Sequence, residues 1–215
     1  MSFLLRGLVP TFIVMLCVIV PAGASAQSPG GSGAAGKSGG AAYKEEPPPP
    51  PMLEPGRWTV PEVPGAKAVL QADGTAAAPA DAPEQVKQAI WAANSLQDLP
   101  YRYGGGHNLK FDVAGGADCS GTVSFALHGG DLLDSPLDSG SFMKWGMKGK
   151  GEWITIYTNP GHAYAVIAGL RLDTSVAGMS RTTKKVAPSA FESGPRWRPM
   201  GRPARGFVKR HPVSF

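Results

Sequence analysis

Between Gln27 and Ala80, 19 of 54 residues are glycine or proline, and five of the prolines, Pro47 to Pro51, are consecutive. Such a stretch holds too few large apolar side chains to offset the entropy of ordering it. It reads as a flexible Gly/Ser/Ala-rich tether, stiffened locally into an extended rod. Residues 27–80 are therefore expected to be a linker from which Trp58, Val60, Val63, Val69 and Leu70 could dock on the domain. A packed core is confined to residues 81–215. With two cysteines and four histidines in 215 residues, a disulfide scaffold and a Cys-rich zinc module are both excluded, since each needs several thiols at fixed spacing.

The N-terminus reads as an address. Arg6 precedes an uncharged stretch whose apolar centre runs from Thr11 to Val20 and is followed by Ala24-Ser25-Ala26. That is the order of a secretory signal peptide, residues 1–26, with a small-x-small cleavage site. The apolar run is shorter than the roughly 20 residues of a spanning helix. Pro10 and Pro21 bracket it, so no stable membrane span is expected. Leu16 stands where the residue before a lipidated cysteine would be small, which disfavours an anchor through Cys17. Export followed by cleavage leaves one thiol, Cys119, in a compartment where thiols usually pair. A lone thiol there is a buried bland residue, half of an intermolecular disulfide, or a reactive nucleophile. Gly31 to Ser38 spells a phosphate-loop pattern, but no strand precedes it and Gly39-Gly40 follows it, so no nucleotide site is expected.

From residue 81 the pattern changes. Asp81-Ala82-Pro83-Glu84 marks a helix start with Asp81 as the capping acid. Val86, Ala89, Ile90, Ala93 and Leu96 recur at helical spacing over about four turns, ended by Leu99-Pro100. Gly104-Gly105-Gly106 lets the backbone approach something closely. Val123 and Phe125-Ala126-Leu127, stopped by Gly129-Gly130, predict a short buried helix with Asp118 at its cap. Cys119 then lies in the first turn, where unpaired N–H groups and the positive dipole end favour a thiolate. A thiolate nucleophile needs a base. His128 is on the far side of the same helix, and His107 and His211 read as surface residues. His162 instead opens an apolar run that follows the strand Trp153 to Tyr157 across a turn at Thr158 to Gly161, which predicts a hairpin. A strand histidine facing the start of a cysteine helix is the arrangement used by thiol hydrolases. The run Leu170 to Thr174 would return beside it and leaves Asp173 or Thr174 to orient the imidazole.

Pro100-Tyr101-Arg102-Tyr103-Gly104-Gly105, Asp118-Cys119-Ser120-Gly121 and Gly161-His162 together resemble the motifs of the NlpC/P60 family of cell-wall peptidases. The resemblance covers residues 81–174. It implies an α+β, papain-like fold with the cysteine helix on an antiparallel sheet, and hydrolysis of amide bonds in peptidoglycan stem peptides. Cys119 would be the nucleophile, His162 the general base, and Tyr101 a donor to the oxyanion together with backbone N–H groups at the helix start. Tyr103, Gly104, Gly105, Asp118 and Ser120, which flank them in the same motifs, are candidate substrate-binding residues, although capping is the main role expected of Asp118. An amidase or acyltransferase on another substrate, and a non-catalytic wall-binding module with Cys119 as a small buried hydrophobe, are the alternatives. No cofactor or metal is expected, because the histidines lack ligand spacing.

From Arg171 to Phe215 ten Lys and Arg face only Asp173 and Glu192, a local excess larger than the +5 of the whole chain. In an exported protein, secreted, periplasmic or attached to the wall, this basic C-terminal extension could contact an anionic wall polymer. Nucleic acid is not expected as a partner, for want of a motif and of the right compartment.

Overall fold

The structure, a computed structural model, describes residues 61–177 and 193–215. The signal peptide at 1–26, the tether as far as residue 60 with Trp58 and Val60, and the stretch 178–192 lie outside the described residues.

Among the described residues three helices and two sheets make an α+β architecture. Three short strands, β1 (Glu62–Val63), β2 (Val69–Leu70) and β3 (Ala76–Pro79), form a small sheet in the order β1-β3-β2. Helix α1 (Glu84–Asn94) turns Val86, Ala89, Ile90 and Ala93 into the core. Helix α2 (Cys119–Gly129) is buried along nearly its whole length, as its apolar composition requires. A single turn, α3 (Ser139–Phe142), is capped by Asp138, whose side chain accepts from the Ser141 N–H. The large sheet comprises β4 (Met147–Lys148), β5 (Ile154–Asn159), β6 (His162–Ile167), β7 (Leu170–Asp173), β8 (Arg196–Arg198) and β9 (Val208–His211) in the order β4-β9-β5-β6-β7-β8. Every pairing in it is antiparallel.

Two tight hairpins set the register. Asn159 pairs with His162, so only Pro160 and Gly161 turn the chain between β5 and β6, and the Gly161 N–H is held by the Asn159 side chain at 3.0 Å. This turn is shorter than the Thr158 to Gly161 segment expected, because Thr158 and Asn159 continue the strand ladder. Ala168 and Gly169, both at positive φ, link β6 to β7 in the conformation that suits a two-residue hairpin. One face of this sheet carries Ile154, Ile156, Ala163, Ala165, Ile167, Leu172 and Trp197 into a continuous core with α1 and α2. The helices touch where Gly129 meets Ala92: a Cβ on Gly129 would stand 2.2 Å from the Ala92 Cβ.

Three expectations are corrected. Residues 61–80 are not a bare linker, since Ala76, Ala77 and Ala78 are fully buried and Asn94 of α1 bonds both the N–H and the carbonyl of Ala76, at 2.8 and 2.9 Å. Alanines bury little area each, yet they let a strand lie close against a helix. Val63, Val69 and Leu70 belong to this sheet. Asp81 does not cap α1: Pro83 occupies that position with no side-chain hydrogen bond, and the helix proper ends at Asn94, about three turns long. The basic tail is no appendage, because β8 and β9 are strands of the large sheet and Arg171, Arg196 and Arg198 are buried in it.

Candidate active site

Asp118 builds the start of α2. Its side chain accepts from the Gly121 N–H at 2.8 Å, and its carbonyl accepts from the Thr122 N–H and hydroxyl. The second carboxylate oxygen accepts from the Gly104 N–H at 3.0 Å, and the Asp118 N–H donates to the Gly105 carbonyl. The glycine loop is thus laid on the helix start. A Cβ on Gly121 would fall 2.0 Å from the Gly105 oxygen, so the close approach expected of the triple glycine is an approach to α2 itself. Burial pushes the Asp118 carboxyl up, but the Gly121 N–H, the hydrogen bond and charge of His107 and the Gly104 N–H bring it below its ordinary value.

This geometry puts Cys119 in the first residue of α2, half-buried and outside any disulfide. Its thiol interacts with the His162 imidazole and the Ala163 backbone. Burial raises the thiol pKa, yet the hydrogen bonds from His162 and Ala163 and the charge of His162 outweigh it and lower the value. For His162 burial acts downward. The hydrogen bonds to Asp173 and Cys119 and the charges of both carry it up from 6.5 to about 9. A lowered thiol beside a raised imidazole is the electrostatic signature of a thiolate–imidazolium pair, in which the proton belongs to the coupled groups jointly.

Asp173 stands against the same imidazole. Its Oδ1 lies 2.9 Å from His162 Nε2, which leaves Nδ1 for the thiol side of the ring, and its side chain has no exposure. Of the two residues left open by the sequence, Asp173 meets the imidazole; Thr174 is buried, with its carbonyl accepting from the Gly194 N–H.

The other candidates divide. Tyr101 is 44% exposed, bridges to Ala117, and has its phenol pKa raised by burial and then by the negative charge of Cys119. Tyr103 is 90% exposed on the same loop. The side chains of Ser120 and Asp118 are buried and turned to each other and to His107, whose Nε2 stands 2.9 Å from Asp118 Oδ1. Gly104 and Gly105 likewise serve the contact with α2 through their backbone. His107, read as a surface residue, is in fact the partner of the cap acid. No spacing rule could find it, since it sits in an irregular loop and shares with the Gly121 N–H the same carboxylate oxygen, Oδ1. His128 instead bonds the Leu133 carbonyl region and stacks on Phe111. Among the described residues no group of three or more His, Cys, Asp or Glu is placed to hold a metal ion, and no helix is long and apolar enough to cross a membrane.

No protein-family model and no curated protein matches the chain. Among solved structures it is similar to the peptidoglycan hydrolase RipB from Mycobacterium tuberculosis, at 22% identity and a TM-score of 0.40. The match covers 59% of this chain and 64% of that one, so the chain spans just under two thirds of the RipB structure.

Proposed function

We propose that this protein is a cysteine hydrolase of the NlpC/P60 type, with a papain-like arrangement, that cleaves amide bonds in peptidoglycan stem peptides. The observation that carries the reading is the alignment Cys119, His162, Asp173: a thiol of lowered pKa at a helix start, an imidazole raised to about 9, and a carboxylate 2.9 Å behind it. The substrate class comes from the resemblance of the tyrosine–glycine and Asp-Cys-Ser-Gly motifs. In this reading residues 1–26 direct export, residues 61–215 form the catalytic domain, and the substrate is met in the cell wall.

The chemistry follows from the geometry. The Cys119 thiolate attacks the carbonyl carbon of the scissile amide, and the negative charge that develops on oxygen meets backbone N–H groups at the start of α2 and the Tyr101 hydroxyl. The His162 imidazolium then gives its proton to the departing amine, which leaves a thioester on Cys119. Water, deprotonated by the now neutral His162, attacks the thioester, releases the carboxylic acid and restores the pair. Asp173 keeps the ring oriented and favours its charged form throughout.

The test is digestion of purified muropeptides, read as new free amines. The wild type is expected to release them, while Cys119→Ala and His162→Ala lose at least about a thousandfold, the scale of removing a nucleophile or its base. Product release by Cys119→Ala at the wild-type rate would sink the reading.

A further inference from the structure

The acid behind His162 does not serve the imidazole alone. Asp173 Oδ1 accepts from His162 Nε2 and from the Ser175 N–H, each at 2.9 Å. Its other oxygen, Oδ2, accepts from Arg202 Nη1 at 3.0 Å and has Arg171 Nε 3.5 Å away. The Asp173 carbonyl takes a further bond from Arg198 Nε at 2.9 Å. The sheet supplies part of this gathering: Asp173 pairs with Arg196 and Arg171 with Arg198 across β7 and β8, and directly opposed residues share a face, while Arg202 joins from a loop.

Two details give the arginines a purpose beyond packing. Arg171 is wholly buried, and its Nε, Nη1 and Nη2 make no hydrogen bond. What it supplies to its surroundings is charge, set beside Oδ2. Arg202 is held by stacking, its guanidinium 5.2 Å from the ring centres of both Tyr164 and Phe207. Phe207 also meets the His162 ring edge-on, so one aromatic group fixes the guanidinium and borders the imidazole.

On the thiol-hydrolase reading above, we infer that Arg202, backed by the buried charge of Arg171, is a positioning residue for the Cys119–His162 pair. It holds Oδ2 so that Asp173 presents Oδ1 to the ring, and it offsets part of the carboxylate charge so that the imidazolium can release its proton to the leaving amine. A buried carboxylate alone, 2.9 Å behind the ring, would retain that proton too well. Among the described residues, the charged and titratable groups on this face and around the pair are Cys119 from α2 and Asp118 at its cap, Tyr101 from its loop, Tyr157 from β5, Tyr164 from β6, Arg171 from β7, Arg196 and Arg198 from β8, and Lys209 from β9. Arg202 differs from the rest in touching the Asp173 carboxylate from a loop with its side chain still 14% exposed, so it can be replaced without opening the core.

The experiment is an NMR titration of the His162 imidazole in histidine-labelled full-chain protein, which needs no substrate. Removing a cation stabilises the imidazolium, so Arg202→Gln is expected to move the His162 midpoint up by about half a pH unit or more. Arg202→Lys should give a smaller rise, and carries the test if the glutamine variant does not fold. Asp173→Asn should lower the midpoint, and in that background Arg202→Gln should have little further effect. A raised wild-type midpoint that neither Arg202 variant moves would overturn the inference while leaving the hydrolase reading intact, as would an Arg202→Gln shift undiminished by Asp173→Asn. A wild-type midpoint near 6.5 would overturn both.

Discussion

Gly121 shows how little slack surrounds the thiol. A methyl group there would meet the Gly105 carbonyl at 2.0 Å, and that loop is also tied to Asp118 through Gly104. Gly121→Ala is therefore expected to cost about 1–3 kcal/mol of stability, as overpacking of a tight contact does, and to slow alkylation of Cys119. Urea denaturation and iodoacetamide kinetics check this, and wild-type values in both would refute the tight fit. The pH response also belongs to single residues. Cys119 has its pKa lowered, so the thiolate that the proposed hydrolysis needs is lost only as pH falls through that lowered value. His162 is raised to about 9, so the proton donor is lost as pH rises through that point. Hydrolysis should follow a bell with its alkaline limb near 9, and a profile whose alkaline limb lies near 6.5 would contradict the pairing.

Asn94 is the joint between elements. From the end of α1 it binds both backbone groups of Ala76 in β3, and its Oδ1 accepts from Trp197 Nε1 of β8 at 2.7 Å. Asn94→Ala would strand three partners and is expected to lose roughly 2–4 kcal/mol, the scale of unsatisfied buried polar groups, with the Cys119 alkylation profile against pH unchanged. Thermal unfolding and the same thiol assay measure the two halves of that statement. At this scale legibility in the sequence was uneven. The capped α2 and the β5–β6 hairpin could be read because their apolar residues repeat at the helical and strand periods, bounded by Asp118, Gly129-Gly130 and Pro160-Gly161. Strand β3 could not, since Ala-Ala-Ala-Pro has no alternation and little area. Strand β8 could not either, because Arg196-Trp197-Arg198 resembles a solvated basic run until Arg196 meets the Gln97 and Leu99 carbonyls and Arg198 the Asp173 carbonyl. The same blindness hid Arg202 and Arg171 as companions of the orienting acid, although Arg171 and Asp173, two apart on one strand, had to share a face.

For the molecule as a whole, the folded unit extends upstream of the helix at which order was expected to begin. A chain that starts at residue 81 would lack β1, β2 and β3, expose the α1 surface that covers Ala76 and Ala78, and leave Asn94 unpaired. Such a truncation is expected to unfold at a markedly lower temperature than a chain starting at residue 61, which retains all three strands. Equal melting temperatures would show the small sheet to be dispensable.

The site is also scattered along the chain. Cys119 opens α2, His162 opens β6 and Asp173 ends β7, and the three meet through the packing of that hairpin on the helix. Until the hairpin docks, Cys119 lacks the contacts with His162 and Ala163 that lower its pKa, and an unperturbed thiol is mostly protonated at neutral pH. Its reactivity is therefore switched on by tertiary closure. An unfolded or half-folded chain carries a quiet thiol, slow to oxidise or to attack its neighbours, and only the finished molecule is chemically armed.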